Sequence, residues 1–300
     1  MTVTKDIYIG VDGGATNCRA YIEDANGGML ACASGGPANI RLSVDASWNS
    51  IYNAIRTALD KIGLVLEDKS YNFHVGLGLA GVEIIADRKR FLTRSHPFAS
   101  IRLESDAYAA CLGAHNNQDG GIIIVGTGIN GFQVQNEKTV QVSGWGFPYD
   151  DIGGGAWLGL QVTSLTLQWL DGRIPGSPML EEIHHNFNED MPKFVTWANS
   201  ANSTKFAELA PYVINHIKTD DIYANKLIKQ AATAINEVYF AMQKRAIDKS
   251  VEIPICLFGG IAPFIRPWLC TELQEHLTER VHDAAVGAAF MIRNQQFKQG

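Results

Sequence analysis

The chain has 300 residues, of which 25 are Lys or Arg and 31 are Asp or Glu, so its formal net charge is −6. This balance offers no broadly basic surface to neutralise a phosphate backbone, so we expect no nucleic-acid partner. The longest apolar stretch, Ala284 to Ile292, is far shorter than the roughly 20 residues of a membrane span, so we expect no membrane partner. Glycine is abundant, with 29 Gly against 10 Pro.

The N-terminal residues MTVTKDIYIG enter a strand at once, without a basic segment followed by an apolar one. The expected location is therefore the cytoplasm. The five cysteines are Cys18, Cys32, Cys111, Cys256 and Cys270. Their number is odd and they form no C-x-x-C pair, so we expect reduced, mostly buried thiols and neither a disulfide nor a metal framework.

Short β-branched runs alternate with helical patterns along the chain, which predicts the α/β class. In the first half, the runs DIYIGV, CRAYIED and MLACAS predict a three-stranded meander. A helix is predicted over 44–62, because apolar residues recur there at steps of three and four. Strands at 73–81 and 101–106 and a helix from Asp106 complete a first domain, placed at 1–116.

The second half opens in the same way as the first. A strand at 121–125, the loop GTGING, two further strands and a helix over 155–170 repeat the order of the N-terminal elements, which indicates a weak internal duplication. Helices then extend to about residue 248, followed by the strand EIPICLF and C-terminal helices. The second domain is placed at 117–288, and the C-terminal helix, 289–300, is expected to pack back on the first domain.

Three glycine-bearing loops each follow an apolar strand: GVDGGATN at 10–17, GTGING at 126–131 and FGGIA at 258–262. Glycine lets backbone N–H groups surround an anion, because no Cβ intervenes. One such loop alone can be a plain tight turn, but three of them favour phosphate binding. The second loop leads into the alternating segment FQVQ, a strand rather than the helix of a dinucleotide site, and the chain contains no G-K-[ST] sequence. The remaining interpretation is phosphate held in β-hairpin loops.

Two aspartates stand at the ends of apolar strands. Asp12 precedes a double glycine, where a carboxylate repels phosphate unless a cation lies between them. It is therefore a candidate Mg²⁺ ligand, the alternative being an aspartate that caps its own turn. Asp106 both ends a strand and begins a helix; either it or Ser105 can be the N-cap, and with Ser105 as the cap, Asp106 can point into a cleft.

Residues 143–155, SGWGFPYDDIGGG, place aromatic and acidic residues in one loop before a helix. Such a combination is typical of sugar binding, because carboxylates accept hydrogen bonds from hydroxyls and a flat ring covers the apolar face of the sugar. The alternative for Trp145 is an ordinary core position.

With these motifs in this order, the chain resembles the sugar kinase branch of the actin-like ATPase superfamily, and within it the glucosamine and N-acetylglucosamine kinases. The resemblance covers essentially the whole chain. It rests on IGVDGGATNCR, ESDAYAACLGAH, IIIVGTGING, GWGFPYDDIGGGAWLG, LFGGIA and DAAVGAAF, while HPFASIRLESDAYAACLGAH and GGPANI are especially similar to bacterial glucosamine kinases. The implied fold is two ribonuclease-H-like domains flanking an interdomain cleft.

The resemblance further implies ATP-dependent phosphorylation of glucosamine to glucosamine 6-phosphate, with ATP and Mg²⁺, in a homodimer. Asp106 would be the base at the sugar 6-hydroxyl, and Asp12 would hold Mg²⁺ on the phosphates. The other implied sugar positions are Asn39, Trp145 and Asp151. The implied nucleotide positions besides Asp12 are Gly13, Gly14, Thr16, Asn17, Thr127, Gly128, Gly259 and Gly260.

Two other functions are compatible with the sequence. One is an N-acetylglucosamine kinase. The other is an activator ATPase of 2-hydroxyacyl-CoA dehydratases, which shares these loops but needs paired thiolates for an iron–sulfur cluster at its dimer face; here no two cysteines lie within ten residues of each other. The chain also departs from the family pattern at Ala15, where a third glycine is common, and at Ile129, where a small serine is usual, so no hydroxyl contact to phosphate is expected from position 129.

Overall fold

The computed structural model describes residues 4–297, with side chains up to residue 295. The chain forms two compact units. The first comprises the chain up to Gly120, Gln133–Thr139 and the chain from Glu279 onward; the second comprises Gly121–Phe132 and Val140–Thr278. Within the described residues, no helix combines the length and the apolar character that a membrane span requires.

The strands and helices agree with the alternating pattern predicted for an α/β chain. The strands between residues 4 and 297 are β1 (Lys5–Gly13), β2 (Cys18–Asp24), β3 (Met29–Gly35), β4 (Tyr71–Leu79), β5 (Ser100–Ser105), β6 (Gly120–Val125), β7 (Ile129–Gln135), β8 (Lys138–Ser143) and β9 (Ile255–Phe258). The α-helices of the same part of the chain are α1 (Val44–Asp60), α2 (Ile85–Leu92), α3 (Asp106–Ala114), α4 (Gly155–Leu170), α5 (Pro178–Asn186), α6 (Met191–Ser200), α7 (Ser203–Ala207), α8 (Ala210–Ile217), α9 (Ile222–Arg245), α10 (Ala262–Ile265), α11 (Thr271–His276) and α12 (Ala284–Phe297).

The first unit is built on a sheet of strand order β3-β2-β1-β4-β5. β1, β2 and β3 form the predicted antiparallel meander, whereas β4 runs parallel to β1, and β5 parallel to β4. Helix α1 presents the predicted apolar stripe, and Trp48, Ile51 and Ile55 on it are buried. They share one core cluster with Ile9 and Val11 of β1, because alternate residues of a strand point to the same face.

Helices α3 and α12 pack against the same sheet through glycines. A Cβ added at Gly10 of β1 would lie 1.9 Å from the carbonyl oxygen of Ala285, and one at Gly76 of β4 would lie 1.9 Å from that of Ala288. Within α12, a Cβ at Gly287 would lie 1.9 Å from the carbonyl oxygen of Ala109 in α3. Part of the glycine excess therefore serves close backbone packing.

The second sheet has the order β8-β7-β6-β9, with β9 parallel to β6, and most of it belongs to the second unit. The core of the second unit is formed largely by helices, and Leu158, Ile183, Ile228 and Ile235 are buried in the same cluster as Ile123 of β6. The two sheets repeat one pattern: three consecutive strands stand in reverse order, and a later strand joins parallel to the first of them. The predicted duplication is confirmed at the level of strand order.

The division into units differs from the expected domain boundaries. The first stretch of the first unit extends to Gly120 rather than 116, and Gln133–Thr139 also belongs to that unit. Residues 279–288, expected in the second domain, belong to the first unit. The physical reason is that α12 starts at Ala284 rather than at 289, and its small residues already pack on β1 and α3. Residues 298–300 of the expected C-terminal helix lie outside the described residues.

Candidate functional site

Three of the predicted site residues lie at one edge of the first sheet. Because β1, β4 and β5 are parallel, their carboxyl ends lie at the same edge. Asp12 is the penultimate residue of β1, Asp106 follows β5 directly, and Asn39 is bridged to Ala80, directly after β4. Since β4 lies between β1 and β5, the strands that carry the two aspartates are about 10 Å apart at the usual strand spacing.

Asp12 lies in a crowded electrostatic environment. Its pKa is raised to about 6, first by burial and then by the negative charges of Asp106 and Asp283, while the positive charge of Arg19 acts in the opposite direction. Arg19 is the cross-strand partner of Asp12 on β2, and its guanidinium donates to the Asp283 carboxylate at 2.5 Å. The charges of Asp106 and Asp283 both act on Asp12, and only Arg19 opposes them, so the surroundings of Asp12 carry an excess of negative charge that a divalent cation would reduce.

Sequence reasoning did not single out Arg19 and Asp283. Arg19 lies within the motif IGVDGGATNCR, and Asp283 begins DAAVGAAF; those motifs were the available signal, but the pairing depends on the placement of α12. Asp283 also accepts a hydrogen bond from the Val286 N–H at 3.1 Å. No group of three or more metal-ligating side chains occurs within residues 4–295, so a cation near Asp12 would take most of its ligands from water and from a bound phosphate.

Asp106 combines a helix-start position with a buried carboxyl. Ser105 is the N-cap of α3, since its side chain accepts from the Tyr108 N–H at 3.1 Å, and Asp106 is the first helical residue. The Asp106 carboxylate accepts from the Ala107 N–H at 2.8 Å. Burial raises the pKa of Asp106, the Ala107 N–H opposes this effect, and the charge of Glu83 adds to it. A carboxylate with a raised pKa is a stronger base than an ordinary aspartate.

Phosphate loop one, residues 13–17, divides into a packed and an open part. A Cβ at Gly13 would lie 2.6 Å from Leu79 and 2.8 Å from Ala38, so packing requires glycine there. At Gly14 the nearest atom is the Asn17 carbonyl oxygen at 3.9 Å, which accepts from the Gly14 N–H at 3.0 Å. Thr16 and Asn17 are exposed. The open part, residues 14–17, is therefore accessible to a ligand.

Asn39 is held in a turn beside β4. Its side-chain oxygen accepts from the Arg41 N–H at 3.1 Å. Gly81 permits this approach: its φ is +86°, and a Cβ there would lie 2.7 Å from that same oxygen. The half-buried Asn39 is thereby fixed at the edge of the sheet that also carries Asp106.

Phosphate loop two is the hairpin turn between β6 and β7. It is shorter than the expected segment GTGING, because β7 already begins at Ile129 and only residues 126–128 connect the strands. The Ile129 side chain is buried in the core of the second unit. Its departure from the family pattern thus has a structural reason, and no side-chain contact to phosphate is possible from it.

A cavity of about 480 Å³ opens beside phosphate loop two. It is lined by Gly126 and Thr127 of that loop and by Gly260 of the glycine loop after β9. The rest of its wall includes Pro211 and Ile214 of α8 and Phe264 of α10. Its size lies in the range of small-molecule sites. Sequence reasoning missed this wall, because α8 carries no motif and is distant in the chain from the loops, and because the motif FGGIA ends at Ala262, before Phe264 of α10.

Two of the glycines at this cavity are not required by the fold. A Cβ at Gly126 or Gly260 would meet no atom within 4 Å, and neither residue has a positive φ. Gly259, in contrast, has φ +100° and would place a Cβ 2.2 Å from the Val125 carbonyl oxygen. Gly259 therefore shapes the turn, while Gly126 and Gly260 leave space that a ligand can occupy.

The loop over 143–155 exposes its aromatic residues. Trp145 is 82% exposed and Tyr149 94% exposed, so the core position considered for Trp145 is wrong. Asp150 organises the loop: one carboxylate oxygen accepts from the Ser143 hydroxyl and from the Trp145 N–H, both at 3.0 Å. Asp151 is buried, and its carboxylate accepts from the Ile129 N–H at 3.2 Å. Of the two acids, Asp151 thus contacts phosphate loop two.

Most of the cysteines are buried, as predicted. All are free thiols, of which Cys18, Cys111 and Cys256 are buried and Cys32 and Cys270 half-buried. Burial raises the pKa of the Cys18 thiol to about 11, which makes it unreactive at neutral pH.

Two duplicated α/β units, each with a glycine hairpin after its first strand, and an edge carrying two half-buried aspartates define an ATPase-type scaffold. Residues 9–291 match the model of the BadF/BadG/BcrA/BcrD ATPase family, and the chain belongs to that family. It is 37% identical to glucosamine kinase GspK of Vibrio cholerae serotype O1 over 94% of each chain. It is 25% identical to the N-acetyl-D-glucosamine kinase of Dictyostelium discoideum over 86% of each chain.

A solved structure from Chromobacterium violaceum, provisionally designated an N-acetylglucosamine kinase, is similar over 97% of this chain and 100% of its own. The TM-score is 0.82 and the sequence identity 30%. The resemblance to amino-sugar kinases is therefore confirmed, as is the α/β fold of two ribonuclease-H-like units found in actin-like ATPases and sugar kinases.

Proposed function

We propose that this protein is an ATP-dependent kinase that transfers a phosphoryl group to the 6-hydroxyl of glucosamine. The observation that carries the proposal is Asp106, a carboxylate with a raised pKa at the edge of the sheet that also holds Asp12 and Asn39. Phosphoryl transfer needs positioning and charge stabilisation more than covalent chemistry, and two aspartates with separate roles suffice for it.

Asp106 would act as the base. A sugar hydroxyl within hydrogen-bond distance of its carboxylate would be oriented for attack on phosphorus, and the hydroxyl proton would pass to Asp106 as the new P–O bond forms and the bond to the leaving ADP breaks. The Ala107 N–H fixes one carboxylate oxygen at 2.8 Å, which holds the group in one orientation. The raised pKa increases its affinity for that proton.

Asp12 would hold Mg²⁺. The fit is electrostatic: burial and two neighbouring carboxylates raise the pKa of Asp12 to about 6, and a cation would offset the repulsion from those carboxylates. A bound Mg²⁺ supplies charge neutralisation for the β- and γ-phosphates. Gly14, Thr16 and Asn17 are accessible for contacts to those phosphates in phosphate loop one.

ATP would bind at the cavity of about 480 Å³ in the second unit. Pro211, Ile214 and Phe264 offer apolar surface to a purine ring, while Thr127 and the open glycines Gly126 and Gly260 offer room and backbone N–H groups to phosphates. Gly128 and Gly259 would support this site indirectly, since packing against neighbouring atoms accounts for both glycines.

The choice of glucosamine over N-acetylglucosamine rests on the relative with 37% identity, a glucosamine kinase. A second observation agrees with a sugar that donates hydrogen bonds. The side-chain oxygen of Asn130 is buried without a hydrogen-bond partner among the described residues, next to Gly144 of the Trp145 loop. An amine or hydroxyl of a bound sugar would satisfy it, while exposed Trp145 would cover the apolar face of the ring.

The direct test measures ADP release with glucosamine and with N-acetylglucosamine at equal concentrations, with glucose as a third acceptor. We expect the highest kcat/KM for glucosamine, and mass spectrometry should find the product phosphorylated at the 6-position. Preference for N-acetylglucosamine would overturn the choice of sugar. Turnover with neither amino sugar, in a protein that binds ATP, would overturn the kinase assignment.

An activator ATPase for 2-hydroxyacyl-CoA dehydratases is disfavoured by the cysteines. A shared cluster needs accessible thiolates at a subunit face, whereas three of the five cysteines here are buried and two half-buried. Iron analysis of protein purified without oxygen tests this: stoichiometric iron and sulfide would revive the activator.

The proposal includes a cytoplasmic homodimer, as the resemblance implies. Light scattering coupled to gel filtration measures the mass in solution directly. We expect twice the mass of the chain, and a single-chain mass at micromolar concentration would remove the dimer from the proposal.

A further inference from the structure

Asp151 has an unusual environment for a residue of a sugar loop. Its φ is +65°, in the left-handed region that non-glycine residues seldom adopt, although Asp and Asn tolerate it better than most. It is 9% exposed. A buried carboxylate at such a backbone position needs an internal partner that compensates for the lost hydration.

Asp151 has two backbone partners: the Phe147 N–H of its own loop, and the backbone of phosphate loop two. One carboxylate oxygen of Asp151 accepts from the Ile129 N–H at 3.2 Å. The carboxylate also fills the space beside Gly128, where an added Cβ would lie 2.5 Å from an Asp151 oxygen. Gly128 therefore leaves room for Asp151, and the absence of a side chain there is explained without any ligand.

Further hydrogen bonds join the same two segments. The Gly155 N–H donates to the Gly126 carbonyl oxygen at 2.8 Å, and the Ala156 N–H donates to the Thr127 carbonyl oxygen at 2.9 Å. The Gly154 N–H donates back to the Asp151 carbonyl oxygen at 3.0 Å. These three carbonyls accept from backbone donors, whereas the Ile129 N–H, directly after the loop, donates to the Asp151 side chain.

We propose that Asp151 is a positioning residue for phosphate loop two: its carboxylate fixes the loop backbone at Gly128 and Ile129 and so prepares the nucleotide site before any sugar is bound. This inference rests on the proposed function, because it takes Gly126 and Thr127 to be nucleotide contacts. It assigns Asp151 a role toward the nucleotide, in addition to the sugar contact that the resemblance implies.

Two substitutions distinguish the contribution of the Asp151 carboxylate from that of the backbone conformation at this position. Asp151→Gly removes the side chain at a φ that glycine adopts without strain, and Asp151→Asn keeps an oxygen that can accept from the Ile129 N–H. Affinity for ADP is measured by calorimetry without sugar, and thermal unfolding confirms that each variant is folded.

We expect Asp151→Gly to raise the Kd for ADP about tenfold, the effect of losing one charge-assisted hydrogen bond. Asp151→Asn should stay within about threefold of the wild type. Equal ADP affinity in the wild type and Asp151→Gly would overturn the positioning role. If the wild type itself bound no nucleotide, the proposed function would fail instead, so the two failures are distinguishable.

A double-mutant cycle tests the contact with Gly128. Gly128→Ala alone should weaken ADP binding at least tenfold, because its Cβ would collide with the Asp151 carboxylate. In the Asp151→Gly background the same substitution should cost much less, since the three nearest atoms to that Cβ all belong to Asp151. Strictly multiplicative effects would show that the two residues act independently and would contradict the proposal.

Discussion

Phosphate loops one and two occupy equivalent places in two duplicated sheets but differ in charge. Each loop follows a buried valine, Val11 in the first unit and Val125 in the second. The residue directly after this valine is Asp12 in the first unit and Gly126 in the second. The first loop adjoins a concentration of carboxylates, whereas the second adjoins an uncharged cavity whose nearest buried acid, Asp151, is bound to the loop backbone.

The difference shows how one scaffold can serve two chemical tasks. In the first unit the carboxylates repel one another and Asp12 is electrostatically strained, which is useful where a cation and a proton must be bound. In the second unit, backbone groups and apolar side chains surround the loop, which suits a nucleotide that must bind and leave. The four predictions below test this contrast, from the largest expected effect to the smallest.

The largest effect is expected for Asp106 of the first unit, the carboxylate that would act as the base. Asp106→Asn should lower kcat by roughly 10²- to 10⁴-fold, because the amide cannot take the hydroxyl proton. Its oxygen can still accept from the Ala107 N–H, so the start of α3 should be preserved. ADP affinity should remain close to that of the wild type in calorimetry. A kcat within tenfold of the wild type would remove Asp106 from the chemistry.

A stability effect is expected from Asp12. Because the folded state raises its pKa from 3.8 to about 6, ionisation of Asp12 destabilises the fold: the penalty is absent below pH 3.8, grows between pH 3.8 and 6, and is complete above pH 6. Its upper limit is about 3 kcal/mol. Asp12→Asn should therefore raise the Tm of metal-free protein at pH 7.5, yet lose kinase activity.

The matched control for Asp12 is Asp60→Asn, on the exposed end of α1. It should change neither the Tm nor its dependence on pH by a comparable amount. Saturating Mg²⁺ should reduce the Tm difference between the wild type and Asp12→Asn. A lower Tm for Asp12→Asn at pH 7.5 would contradict the electrostatic description of this edge.

In the second unit, the sharpest test uses a glycine that the fold does not require. Gly260→Ala adds a Cβ that meets no protein atom within 4 Å but extends into the cavity. We expect an approximately tenfold increase in the Kd for ADP and an unchanged Tm, since the added methyl displaces ligand rather than protein. Unchanged affinity would place the nucleotide elsewhere.

Gly172→Ala is the complementary control. Its Cβ also meets nothing within 4 Å, but its φ is +74°, so alanine is strained there and should lower stability by about 1 kcal/mol. ADP affinity should not change, because Gly172 lies outside the cavity. Gly260→Ala should therefore weaken ADP binding without changing stability, and Gly172→Ala should lower stability without changing ADP binding.

The smallest effect is expected from Trp145. Trp145→Ala should raise the KM for glucosamine three- to tenfold, the scale of one ring stacked on a ligand, with no change in Tm because the side chain is 82% exposed. Tyr149, which is 94% exposed in the same loop, provides the comparison: Tyr149→Ala should leave the KM near that of the wild type. Equal effects of both substitutions would indicate a general disturbance of the loop.

The element pattern was predictable from the sequence because periodicity is a local property. The stripe of α1, the meander β1-β2-β3 and the start of α4 at Gly155 all follow from the spacing of apolar residues and glycines. Ser105 as the cap of α3, with Asp106 as the first helical residue, was also among the expected arrangements. The C-terminal helix was expected from residue 289, whereas α12 begins at Ala284. Its start was harder to predict because a run of alanine and glycine has weak amphipathic character.

The candidate site was predictable only where it coincided with motifs. The aspartates at strand ends, Asp12 and Asp106, were found because parallel strands bring their carboxyl ends to one edge. The partners Arg19 and Asp283, 264 residues apart in the chain, were missed, since nothing local couples them. The apolar wall that α8 contributes to the cavity beside phosphate loop two was missed for the same reason, since α8 lies far from both glycine loops in the chain.

The glycines show what the sequence determines and what only the tertiary structure decides. The sequence by itself determined that there are 29 of them and that three groups follow apolar strands. Only the tertiary structure separated their roles: Gly10, Gly76 and Gly287 permit helix packing, while Gly126 and Gly260 leave a cavity open. The physical reason is that a glycine's role depends on whether its missing Cβ would have met another atom, and for Gly10, Gly76 and Gly287 that atom belongs to a distant part of the chain.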